Sequence, residues 1–175
     1  MNSSGRPRDE NSRRAILEAT QQLVLEKGYA AVTTAEVAAR AGAGKQTIYR
    51  WWPGKGALVL DAFSQWVQQA PRETRRKPSL SSTLVEFCRA ATHAAPVLRA
   101  LMAEAQFDPA LHERLVAQLV RPRGDELRSC LTDRRPADRE LIVNVLSGLV
   151  WQRLMLNQPL DGAFVRFALR VVKRV

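Results

Sequence analysis

The sequence predicts an all-α protein of about nine helices: an N-terminal three-helix bundle with a helix-turn-helix, then a larger helical domain. Three observations carry this. Apolar residues recur at three- and four-residue spacing through most of the chain. No alternating β-branched run is joined to another by an Asn-Gly or Asp-Gly turn. Glycines and prolines fall mainly where the helical period is interrupted, as helix stops and starts do.

In the first element, Ile16, Leu17, Thr20, Leu23 and Val24 share one helical face, and Gly28 follows at a natural stop. This gives a helix near 10–27, preceded by a polar, mobile arm at Arg6 to Asp9. Thr33-Thr34-Ala35-Glu36 has the pattern of a capping box, in which Thr33 accepts from the Glu36 amide and the Glu36 carboxylate reaches back. The short helix behind it turns Val37, Ala38 and Ala41 inward and ends at Gly42. A third helix starts after Ala43-Gly44 and runs from Lys45 to about Trp51, where Pro53-Gly54 breaks it. Two short helices joined by a glycine-bearing turn make a helix-turn-helix. A fourth helix, about 55–70, carries Leu58, Leu60, Phe63, Trp66 and Val67. The segment Pro71 to Pro78, two prolines bracketing four basic residues, reads as a boundary.

Beyond it, Leu84, Phe87, Cys88 and Ala91 mark a fifth helix, and Pro96 opens a sixth with Leu98, Leu101, Met102 and Ala105. Asp108-Pro109 suits the N-cap and first turn of a seventh, bearing Leu111, Leu115 and Leu119. Pro122 kinks or ends it, with helix again to Leu131. The eighth, about 137–157, is the most apolar: Leu141, Ile142, Val145, Leu146, Leu149, Val150 and Leu154, stopped by Asn157 and Pro159. Asp161 caps the ninth, about 161–174, with Phe164, Val165, Phe167, Ala168, Leu169, Val171 and Val172. The expected division is 1–54, an arm and helix-turn-helix domain; 55–78, a connecting helix and basic linker; and 79–175, a C-terminal domain.

Composition narrows the function. Of 175 residues, 46% are hydrophobic and 25% charged, the balance of a globular chain. No apolar run approaches the roughly 18 residues that span a bilayer, and no apolar segment follows the N-terminal charges as in a secretory signal. The expected location is the cytoplasm, with no membrane partner. The formal net charge of +10 favours a polyanionic partner, nucleic acid first. Cys88 and Cys130, His93 and His112 match no metal spacing, so no metal site is expected. With no glycine-rich phosphate loop, nucleophile elbow or metal cluster, neither catalytic residues nor cofactors are expected.

The third helix is crowded with donors: Lys45, Gln46, Thr47, Tyr49 and Arg50, while Ile48 and Trp52 can anchor it inward. Its N-terminal end is the part that meets base edges when such a helix enters the major groove. Gln46 can pair bidentately with adenine, and Lys45 or Arg50 can reach guanine or phosphate. Thr33 and Thr34 stand at a helix N-terminus, where amides attract phosphate, and Lys55 lies just past the break. Two short polar helices with a basic face also occur in ordinary helical bundles, so spacing alone leaves both readings open.

The whole string is more specific. From Arg14-Ala15-Ile16-Leu17 through Gly28-Tyr29-Ala30-Ala31-Val32-Thr33-Thr34 to Val37-Ala38, and on through Ala41-Gly42-Ala43-Gly44-Lys45-Gln46-Thr47-Ile48-Tyr49-Arg50-Trp51-Trp52-Pro53-Gly54-Lys55, the chain resembles the tetracycline-repressor-like (TetR/AcrR) family. The resemblance covers about residues 12–61. It implies that Thr34, Thr47, Tyr49 and Lys55 touch phosphates and that Lys45 and Gln46 lie near base edges. Two positions depart from the pattern: Gly44 replaces a more usual serine, losing a capping hydroxyl, and Trp51 stands where histidine is frequent. Tyr29 is expected to pack the first helix against the third.

The resemblance further implies a sequence-specific regulator, most often a repressor, that grips a palindromic double-stranded operator as a homodimer. The last two helices would pair across a two-fold axis, with Ser147 and Gly148 permitting close approach. A small apolar effector would sit among the fifth to eighth helices. Leu84, Phe87, Met102, Phe107, Leu115, Trp151 and Met155 are candidates to line its site, each also explicable as plain core. Two alternatives are a nonspecific or architectural nucleic-acid binder driven by charge, and a helical module that docks a protein.

Overall fold

A computed structural model describes the backbone of residues 6–69 and 78–173, and all regular structure among them is helical. In chain order these are α1 (Arg6–Ala31), α2 (Thr34–Ala41), α3 (Lys45–Trp51), α4 (Lys55–Gln69), α5 (Leu80–Ala105), α6 (Pro109–Leu115), a π-helical turn (Val116–Val120), α7 (Arg121–Ser129), α8 (Pro136–Met155) and α9 (Gly162–Val172). The basic linker expected between Pro71 and Lys77 lies outside the described residues.

The chain packs as two units. The first comprises α1 to α4 together with Ala100–Arg114, a segment that the sequence reading placed with the C-terminal domain. Its core is Ile16, Leu17, Leu23, Val37, Ile48, Trp52, Leu58 and Leu60, with Leu101 and Leu111 from the later segment. The second unit holds the earlier part of α5 and the chain from Leu115 onward. There Leu84, Phe87, Leu127, Leu131, Ile142, Leu146, Phe164 and Ala168 share one core. Arg128 of α7 forms a forked pair with Glu140 of α8, at 2.6 and 3.0 Å. Around Gly124, α7 packs on α8 at ordinary contact distance, since a Cβ there would stand 3.6 Å from a Val143 methyl.

Most local signals act where the sequence puts them. Gly28 adopts φ 79 and ψ 164 and turns the chain before Tyr29. Gly42 caps α2 in the left-handed region at φ 62, donating to the Ala38 and Ala39 carbonyls. Asp108 accepts from the Leu111 amide at 3.0 Å, and Asp161 accepts from the Phe164 amide at 2.9 Å. Asn157, at φ 53, ends α8. Its side chain receives Arg99 at 2.9 Å.

Three expectations are corrected. The backbone is helical from Arg6, so residues 6–9 extend α1 and are not a separate arm. Pro7 falls in the first turn, where a missing amide hydrogen removes no intrahelical bond. The predicted fifth and sixth helices are one 26-residue helix, α5, with Pro96 inside it. Pro96 and Thr92, whose carbonyl loses its helical donor, are both exposed, so water can satisfy that oxygen. Of the two outcomes expected at Pro122, a kink or an end, the end does not occur. The helix widens into the π turn, where Arg121 donates to the Val116 carbonyl, and continues as α7.

Pro96→Ala should stabilise the protein. A helix-interior proline costs about 3 kcal/mol against alanine. The unfolded-chain restriction lost on its removal is about 0.4–1 kcal/mol, and solvation of the Thr92 carbonyl recovers part of the rest. A gain of about 1–2 kcal/mol is expected, read from the urea midpoint; a lower midpoint would contradict this account of α5.

Candidate nucleic-acid interface

The interface is built on α2 and α3. Thr33, extended at φ −120 and ψ 150, caps α2. Its hydroxyl accepts from the Glu36 amide at 3.3 Å, while its amide donates to the Glu36 carboxylate at 3.1 Å. The capping box forms as predicted. Glu36 also receives Lys27 of α1, and Glu26 of α1 receives Arg40 at the other end of α2. These two ion pairs clamp α2 to α1 from opposite ends.

The seven-residue α3 has less support of its own. Its N-cap is Gly44, with no side-chain cap. It is held by Ile48 and Trp52, 0% and 1% exposed, which is the inward anchoring expected. With those two turned in, Lys45, Gln46, Tyr49 and Arg50 fall on the outer face and are exposed, and Thr47 is half-buried. Thr34 and Tyr49 share a hydrogen bond at 3.1 Å between hydroxyls, joining the start of α2 to the outer face of α3. Trp51 is half-buried, with the Arg13 and Arg50 guanidinium carbons 5.8 and 6.0 Å from its ring centre. Its indole N–H is buried without an acceptor.

Comparison with known proteins decides what this framework is. The model of bacterial regulatory proteins of the tetR family matches residues 16–62, and that of the tetracyclin repressor-like C-terminal domain matches residues 78–172. The chain belongs to the TetR family. It is accordingly a transcriptional regulator of the helix-turn-helix type. It is 31% identical to the HTH-type transcriptional regulator YdeS of Bacillus subtilis, over 93% of this chain and 88% of that one. It is 30% identical to the DNA-binding transcriptional repressor TetR of Mycobacteroides abscessus, covering 90% of each. The crystal structure of the TetR family transcription regulator SCO0332 superposes with a TM-score of 0.74 at 30% identity, covering 94% of this chain and 98% of the other.

Within this TetR-family regulator, the predicted interface residues do not all fall together. Thr34, Lys45, Gln46, Tyr49 and Arg50 lie along the α2–α3 surface. Thr33 sits beside them, but its hydroxyl is engaged by Glu36, from whose amide it accepts and to whose carboxylate it donates at 2.7 Å. Lys55 is turned elsewhere: its ammonium donates to the Tyr29 carbonyl at 3.2 Å and lies 4.5 Å from the centre of the Tyr29 ring. Tyr29, expected to pack α1 against α3, is half-buried, and its phenol donates to Glu104, on the last turn of α5. Burial, followed by that carboxylate, raises the phenol well above its ordinary range. Gly56 keeps room for the same carboxylate, since a Cβ there would come within 2.6 Å of it and 2.7 Å of Leu111.

Two supporting residues escaped the sequence reading. Glu104 is 75 positions from Tyr29, and no local pattern links them. Asp61 did leave a trace, as the single acid in the otherwise apolar stretch Gly56 to Phe63. It receives the Trp52 indole at 2.9 Å and Arg114 at 3.0 Å.

Lys27 and the Thr33 hydroxyl hold the Glu36 carboxyl down at about 2, against an ordinary 4.5. A carboxyl depressed in the folded state adds stability above its ordinary pKa, and that stability fades as pH falls through the folded value. Glu36→Gln should therefore melt below the parent at pH 7, with the difference shrinking between about pH 4.5 and 2. Circular-dichroism melts across that window test this; a difference independent of pH contradicts the pairing.

Proposed function

We propose that the protein is a cytoplasmic repressor that binds a palindromic double-stranded operator as a homodimer and releases it when a small apolar effector binds. One observation carries the DNA-binding surface: burial of Ile48 and Trp52 leaves Lys45, Gln46, Tyr49 and Arg50 together on the outside of α3. Gln46 and Lys45 at the N-terminal end read base edges, Gln46 with adenine and Lys45 with guanine. Thr34, Thr47, Tyr49 and Arg50 fix the register on phosphates. Thr33 contributes by holding the α2 N-terminus toward the backbone. Lys55 reaches phosphate only by leaving the Tyr29 carbonyl, so its contribution is the smallest of the set.

The dimer reading is supported by the outer face of α8. Leu141, Val145, Gly148, Gln152 and Met155 follow one another at four- and three-residue steps, with Val145 half-buried against the second unit's core. Leu141 is 49% and Met155 40% exposed. Phe167 of α9 adds a further exposed ring, at 45%. At Gly148 no atom lies within 4 Å of where a Cβ would stand, which leaves space for a second helix backbone. A two-fold pair of such chains supplies the two recognition helices that a palindrome requires, about 34–36 Å apart.

The effector belongs to the C-terminal part, and the candidate contacts differ in what they offer it. Leu84, Phe87 and Leu115 are buried, the first two within the second unit's core. Met102 and Trp151 are half-buried. Phe107 is 92% exposed on the turn after α5, and Met155 lies on the proposed dimer face. Leu84 and Phe87, packed within that core, reach an apolar ligand only if the core opens to admit it, whereas Trp151 is already partly accessible.

Selection of bound duplexes from a random pool is the direct test, and a palindrome is expected. Gln46→Ala should lose base preference at one position of each half-site, costing about 1–3 kcal/mol there. A pool returning no motif, bound with affinity that falls steeply with salt, would instead support a nonspecific binder drawn by the +10 charge.

Gly148→Arg should convert the dimer to monomer in analytical ultracentrifugation and abolish operator binding at concentrations where the parent binds. A dimer that persists in this variant contradicts the proposed face.

A further inference from the structure

The C-terminal end of α3 is fixed by something other than helix chemistry. Trp52 closes the helix, its amide donating to the Ile48 carbonyl at 2.9 Å, and its backbone is already extended at φ −130 and ψ 122. Only Pro53 and Gly54 separate it from α4. At the other end Gly44 gives α3 no side-chain cap. A helix of seven residues is far too short to persist alone, so its direction depends on how its two buried side chains are seated. Ile48 can slide within an apolar core. Trp52 is more constrained, because moving it would break the hydrogen bond that its buried indole N–H makes to an acceptor at one point in space.

That acceptor is Asp61, on α4, at 2.9 Å. The carboxylate is only 12% exposed, and among the described residues two arginines also meet it. Arg114 of α6 meets one oxygen at 3.0 Å, and Arg13 of α1 lies 3.5 Å from the other. The Arg13 guanidinium carbon also stands 5.7 Å from the Trp52 ring centre, so the indole is held at its edge by Asp61 and on its face by Arg13. The two arginines make a buried carboxylate tolerable at this spot, and the carboxylate in turn orients the indole.

We propose that Asp61 is the positioning residue of the recognition helix: by fixing the Trp52 indole it sets the pose in which Lys45 and Gln46 are presented to DNA. This rests on the DNA-facing reading of α3 given above. Asp61 touches no DNA in this role, so it acts on affinity for the preferred duplex and leaves nonspecific, charge-driven binding in place.

The test compares Asp61→Ala, Asp61→Asn and, as a control of general destabilisation in the other unit, Ile142→Val. Two quantities are read in the full chain: hydrogen exchange at the α3 amides without DNA, and affinity for the selected and a scrambled duplex. Asp61→Ala should speed exchange at Ile48 to Trp52 and weaken the selected duplex by about tenfold, the scale of a buried donor left unmet. Scrambled-duplex affinity should be unchanged. Asp61→Asn keeps an oxygen for the indole and should restore α3 protection and most of the affinity. Ile142→Val should lower melting without changing α3 exchange. The inference is overturned if α3 exchange in Asp61→Ala matches the parent, if it rises while selected-duplex affinity stays within twofold, or if Asp61→Asn behaves as Asp61→Ala. The exchange arm needs no DNA, so absence of any preferred duplex would count against the reading of α3 while this arm still decides on Asp61.

Discussion

The outer face of α3 depends on the burial of two side chains, Ile48 within the helix and Trp52 at its C-cap. Nucleating a helical turn fixes several residues for one hydrogen bond, and seven residues never recover that loss in water. Here the deficit is met by the core of the first unit, into which both side chains fit almost completely. The same periodicity that buries them exposes Lys45, Gln46, Tyr49 and Arg50. Stability and presentation are therefore two readings of one helical period, and substitution of either anchor alters both.

What was legible in the sequence is what lies within about four residues of its cause. The Thr33–Glu36 box, the left-handed Gly42, the Asp108 and Asp161 caps and the turn at Gly28 are each complete in a few positions. Pro96 shows where such reasoning ends. The rule that proline stops a helix assumes the orphaned carbonyl has nowhere to go, whereas Thr92 faces solvent because of how α5 lies on its core. Tyr29 with Glu104 and Asp61 with Arg114 were further out of reach, since partners 75 and 53 residues apart leave no periodic trace.

The candidate site was legible in part for a related reason. Residue type says what a side chain can donate, and the structure says whether the donor is already engaged. Gln46 and Lys45 are exposed on α3. The Thr33 hydroxyl instead closes a cap, and the Lys55 ammonium faces a carbonyl and a ring. A polar atom satisfied inside the chain must give up that bond before it can take a phosphate, so the same residue list yields unequal contributors.

Charge and shape divide the remaining work unevenly. A net charge of +10 attracts any duplex and falls away with salt, so it explains encounter but not choice. On the proposed reading of α3, choice would fall to the few side chains at its start, and one such set discriminates by only about 1–3 kcal/mol per bidentate contact. Joining two copies makes the second engagement intramolecular, so the discrimination of each half-site adds to that of the other. In the proposed dimer, the exposed Leu141, Met155 and Phe167 on α8 and α9 would bear on recognition as directly as Gln46, because a single α3 reads too few bases to select one site among many.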